Sequence, residues 1–127
     1  MKNILVLLLP SIGALVPASA YAAKLQDAMQ MQLVMMLQAE IAPCWTMPAL
    51  DGKAPAPVTI QVLLKKDGSL ARKPAAIELP QEKSAKALAT SAIRAVERCA
   101  PFDSVAQHPK VYDKWRELRI NFAPLGY

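Results

Sequence analysis

The chain has 127 residues, enough for one domain and too few for two of ordinary size. Hydrophobic residues make up 54% of it, and part of that share sits in the first 22 positions. The formal charge of +5 is a mild excess, spread over Lys65-Lys66, Arg72-Lys73, Arg94, Arg98, Lys114, Arg116 and Arg119 rather than gathered on one element, which argues against nucleic acid and leaves acidic partners or anionic head groups.

The amino terminus carries the plainest signal. Lys2 gives a short positive start, Ile4 to Leu9 is an unbroken apolar run, and Gly13 to Val16 extends it past Pro10. Ala18-Ser19-Ala20 then offers small residues three and one before a cut, and Ala20-Tyr21-Ala22 offers a second frame. This is the pattern of a cleavable secretory signal over residues 1–22, cut after Ala20 or Ala22. The apolar core falls short of the roughly 20 residues that a spanning helix needs. No later stretch is long and apolar enough for stable membrane insertion, and no cysteine for lipid attachment follows the leader. The expected address is the periplasm. Export fits the two cysteines, Cys44 and Cys99, for which only one pairing exists. A bridge across that spacing would remove about 4 kcal/mol of unfolded-chain freedom, a large share for a domain of about 105 residues, 23–127, with a modest core.

Lys24 to Ile41 reads as the first helix, with Leu25, Met29, Leu33, Met36, Leu37 and Ile41 recurring at steps of three and four. Pro43 stops it. Thr46 to Pro57, with Pro48, Gly52, Pro55 and Pro57, is a loop. Val58 to Leu64 is a strand with Val58, Ile60, Val62 and Leu64 on one face. Lys65 to Ser69 carries a hairpin turn around Asp67-Gly68. Leu70 to Leu79 is the weaker returning strand, and Pro74 confines it to an edge. Pro80 to Cys99 holds the second helix, which Pro80 or Ser84 can start, striped by Leu88, Ala89, Ala92, Ile93 and Val96 and ended by Pro101. Asp103 to Val111 reads as a loop, and Trp115 to Phe122 as the last strand, in which Leu118, Ile120 and Phe122 alternate with Glu117, Arg119 and Asn121.

The order helix, strand, strand, helix, strand predicts an α+β fold. The most apolar strand should lie in the centre, antiparallel to both neighbours, with both helices on one face. The last strand is then the open edge. An open edge can accept an extended segment from a partner, and outward Glu117, Arg119 and Asn121 would contact that segment.

Catalytic chemistry finds no footing. His108 is the lone histidine and has no spaced partner. The cysteines are expected to be oxidised. There is no glycine-rich phosphate loop and no paired-carboxylate motif, so no enzyme, metal or other cofactor is expected. One alternative from another class is copper binding through the methionines of the first helix, where Met31 and Met35 lie one turn apart and thioethers suit Cu(I). Core packing is the blander account of Met29 and Met36. Trp45, beside Cys44, reads as a buried residue, and Trp115 as a buried residue or an interface anchor.

The runs Ile41-Ala42-Pro43-Cys44-Trp45, Val58-Thr59-Ile60-Gln61-Val62, Asp67-Gly68-Ser69-Leu70 and Lys73-Pro74 resemble the carboxy-terminal domain of TolA. Ala92 to Phe102, Tyr112 to Glu117 and Ile120-Asn121-Phe122 extend the likeness over about Lys24 to Pro124. The resemblance implies a TolA/TonB-like periplasmic domain that contacts periplasmic or outer-membrane proteins, maintains the envelope and performs no catalysis. It also implies the pairing of Cys44 with Cys99. The chain departs from full-length TolA in showing no membrane anchor and no long helical spacer, so the resemblance leaves a role in transmitting energy open.

Overall fold

Val58, Ile60, Val62 and Leu64 fall on one side of an extended backbone, and all four are buried. In the computed structural model, which describes residues 13, 17–50, 55–78 and 80–124, they belong to or directly follow strand β1, Val58–Leu63. The apolar part of the expected leader, Gly52 of the loop and Leu79 lie outside the described residues. Strand β2, Ala75–Ala76, and strand β3, Glu117–Phe122, both run antiparallel to β1, in the order β2-β1-β3. Ile60 sits opposite Ile120, and Val62 opposite Leu118, so the apolar residues of the two long strands share a face. Helix α1, Ala18–Ile41, and helix α2, Lys83–Cys99, cover that face. The fold is α+β, with the most apolar strand in the centre.

Four departures from the sequence expectation have physical causes. First, α1 starts at Ala18, six residues before Lys24, and buries only Leu33, Leu37 and Ile41. Leu25 and Met29 are 54% and 39% exposed. A helix of 24 residues is about 36 Å long, while a six-residue strand spans only about 20 Å, so the body cannot reach the first half of the helix. Second, β2 shrinks to two residues plus an isolated bridge from Leu70 to Leu64. Pro74 has no N–H to give to a ladder. Third, of the two starts open in the sequence, Pro80 and Ser84, α2 lies beside the later one and begins at Lys83. Its buried face is mostly alanine (Ala85, Ala89, Ala92 and Ala95 around Leu88 and Val96), which lets the helix axis approach the sheet.

Fourth, the segment read as a loop is largely helical. It contains helix α3, Asp103–Ala106, and a 3₁₀ turn at Pro109–Val111, and helix α4, Tyr112–Trp115, follows it directly. Trp115 therefore ends a helix instead of opening a strand. Its ring is fully buried, and its Nε1–H donates to the carbonyl of His108 at 2.8 Å. Tyr112 meets it edge to face at 4.7 Å, and the Tyr112 hydroxyl donates to the Leu64 carbonyl at 2.6 Å. These bonds carry the chain from the end of α2 to the start of β3.

Two fasteners join the helices. The Cys44–Cys99 disulfide, with Cα atoms 5.9 Å apart, ties the 3₁₀ turn after α1 to the last residue of α2. Glu40 reaches across to the start of α3, where its carboxylate accepts the Asp103 N–H at 3.2 Å and the Ser104 hydroxyl. A carboxylate there meets backbone N–H groups that have no partner within the helix.

The turn after β1 is closed by Gly68 at φ 83°, with Gly68 N–H donating to Lys65 and Lys65 N–H donating to Ser69. Asp67 Oδ1 accepts both the Ser69 N–H at 2.9 Å and its hydroxyl at 2.5 Å. The Ser69 hydroxyl, and then its N–H, hold the Asp67 carboxyl below its ordinary value. A carboxyl depressed in the folded state stabilises the fold above the ordinary carboxylate range and loses that contribution as pH falls through the folded value. We therefore expect Ser69→Ala to weaken the protein at neutral pH and to bring variant and parent together under acid. Urea midpoints measured from about pH 7 down to about pH 2 check this. A gap that stays constant through the acid range would contradict it.

Candidate functional site

Antiparallel strands alternate between hydrogen-bonded and non-hydrogen-bonded pairs. Leu64 N–H donates to Arg116 O at 2.8 Å, which fixes the phase. Leu118, Ile120 and Phe122 then exchange their backbone bonds with β1, and Glu117, Arg119 and Asn121 point theirs away from it. On the other side of β1, Ala71 N–H donates to Leu63 and Ile77 N–H donates to Thr59, in the same phase. Among the described residues no backbone group takes up the outward N–H and C=O of Glu117, Arg119 or Asn121. The three residues expected at the site thus carry both the exposed side chains and the open backbone groups of this edge.

Their side chains are not equivalent. Gln61 Nε2 donates to Glu117 at 2.6 Å, Thr59 Oγ1 donates to Asn121 at 3.0 Å, and Arg72 reaches Gln61 at 2.8 Å. These bonds knit the polar face of the sheet together. Arg119 is exposed and forms no ion pair among the described residues. It is the charged group on this edge that is left to meet a carboxylate.

A groove of about 860 Å³ runs between this edge and α1, with Asp27, Met31 and Val34 on the helix side and Arg116, Leu118 and Arg119 on the strand side. Sequence reasoning missed this wall. Met31 and Val34 sit at helical spacing, but nothing local says that they overlook the last strand. Met31 and Met35 are 66% and 60% exposed on successive turns. Among the described residues no three of His, Cys, Asp and Glu gather as a metal cluster. The His108 side chain is exposed, while its backbone is engaged: the N–H donates to Val105 O, and the carbonyl accepts from Trp115 Nε1–H and from Val111 N–H. Trp45 is half-buried, with its Nε1–H on Ser91 Oγ at 3.1 Å and its ring edge-on to Phe122 at 5.3 Å. No helix among the described residues is long and apolar enough to cross a membrane.

No curated protein matches the chain, and no solved structure does. One family model matches residues 27–108, from within α1 to the loop after α3. That span is more than half of the chain, and the protein therefore belongs to the family described as Uncharacterised conserved protein UCP034077.

Proposed function

We propose that the protein is an exported, non-catalytic binding module of the periplasm, of the TolA/TonB carboxy-terminal type, that holds a protein partner of the cell envelope by accepting an extended segment along β3. The observation that carries this reading is the phase of the β1–β3 ladder, which leaves the backbone of Glu117, Arg119 and Asn121 open. Backbone bonds give such a contact its affinity, and flanking pockets give it selectivity. Apolar partner residues would face Met31, Val34 and Leu118, and an acidic one would face Arg119. The leader pattern and the cysteine pair support the address.

Arg119→Pro tests the mode of binding. The Arg119 N–H points away from β1, so proline removes a donor that the fold does not use, and edge strands tolerate proline. We expect the parent protein to retain a partner from an envelope extract and Arg119→Pro to lose at least about nine-tenths of it, with the melting temperature lowered by no more than about 5 °C. Equal retention by a folded Arg119→Pro variant would end the strand-addition reading. Copper binding at Met31 and Met35 is the weaker alternative, since two thioethers on one helix supply only part of a coordination sphere.

A further inference from the structure

Beyond the β3 edge, α2 carries a second recessed surface. A groove of about 450 Å³ lies between its outer face and the segment Thr46–Pro48, and shares no lining residue with the groove beside β3. Two bonds hold this segment in place. Cys44 is tied to Cys99 at the end of α2, and the indole of Trp45 donates to Ser91 in the middle of it. The walls are formed by Met47 and Pro48 on one side and Ala87 on the other, with Arg94 and Arg98 on successive turns at the rim.

The polar inventory of the groove is one-sided. The Thr90 hydroxyl donates to Lys86 O, and the Ser91 hydroxyl donates to Leu88 O while accepting from Trp45. Thr46 adds one exposed hydroxyl, and the two guanidiniums are the charged groups that remain. Both are exposed, neither forms an ion pair among the described residues, and a guanidinium can only donate. Two like charges one turn apart repel. The helix dipole explains a positive charge at this end of α2 but not its position beside an apolar trough. We infer that this groove binds an acidic, extended segment of a protein partner, with a carboxylate on Arg94 and Arg98 and a neighbouring apolar side chain against Met47, Pro48 and Ala87. An inorganic anion would satisfy the guanidiniums but leave the apolar walls wet. A peptide that carries both groups satisfies the whole surface.

The test uses the oxidised, ¹⁵N-labelled full exported protein and two pools of capped hexapeptides. One pool is built from Asp, Glu, Leu, Val and Phe, and the other is identical with Asn and Gln in place of the acids. The acidic pool should shift amides of Thr46, Met47 and the Ala87–Arg98 stretch, and the amide pool should not. The double variant Arg94→Gln/Arg98→Gln should weaken the effect at least about tenfold, the loss expected when charge-assisted bonds to a carboxylate disappear. Ala87→Leu should block the groove with the charges intact, and an unchanged Trp45 indole signal would show that the segment is still docked. Arg119→Pro should leave these shifts alone, which separates this site from the β3 edge. The inference is overturned if those amides do not move with the acidic pool, if they move equally with both arginines replaced, or if inorganic phosphate at the same concentration reproduces the pattern.

Discussion

Replacing Cys44 and Cys99 together by alanine is expected to lower the unfolding free energy by about 4 kcal/mol. The two residues are 55 apart, and the cross-link denies the unfolded chain every conformation in which that loop is open. Ordinary domains have only about 5–15 kcal/mol in hand, so this one change removes a large part of the margin. The loss should carry a signature. Because the link acts on the unfolded chain, its removal lets that chain expand and expose more surface, and the urea m-value should rise as the midpoint falls. Urea denaturation of the parent and the double variant checks both quantities. An unchanged midpoint with an unchanged m-value would mean that the unfolded chain is no less restricted without the bridge, contrary to this account.

Gly68→Ala should cost about 3 kcal/mol through two additive effects. At φ 83° a side chain is strained in the left-handed region by about 1–2 kcal/mol. The added Cβ would also run into the carbonyl oxygen of Phe102 and lie 3.0 Å from its carbonyl carbon. Phe102 cannot retreat freely, since its N–H donates to Gly68 O at 2.8 Å and its ring is fully buried. Relief must come from moving either the β1 turn or the junction between α2 and α3. Here the m-value should stay constant, because native strain rather than the unfolded chain is altered. A cost below about 1 kcal/mol would show that the turn can re-form without glycine.

The sequence made the central layer legible because its signals are long. Val58 to Leu64 and Leu118 to Phe122 alternate over enough residues to fix both strand and buried face, and Leu88 to Val96 does the same for α2. Glu117, Arg119 and Asn121 followed from that alternation, and the ladder phase gives the same three residues a second property. What stayed hidden was non-local or short. A helix of four residues such as Asp103–Ala106 has no period to detect. The apolar stripe at Leu25 and Met29 is a genuine helical stripe, but periodicity cannot tell whether anything lies opposite it. The groove under Arg94 and Arg98 exists only because a disulfide and an indole bond, across 55 and 46 residues of chain, bring Thr46–Pro48 onto α2.

The overhang of α1 has a consequence for how firmly its first turns are held. From Ala18 to Gln32 every residue is exposed, so apart from the Gln30 amide, which donates to Lys114 O at 3.5 Å, these turns hold their shape on backbone bonds and intrinsic propensity. A detached helix of that length is marginal in water. Amide hydrogens there should exchange with solvent far faster than those from Leu33 onward, with a sharp step at that residue. On the export reading proposed above, a processing peptidase would meet Ala20 and Ala22 in a stretch it can straighten without disturbing one side chain of the interior.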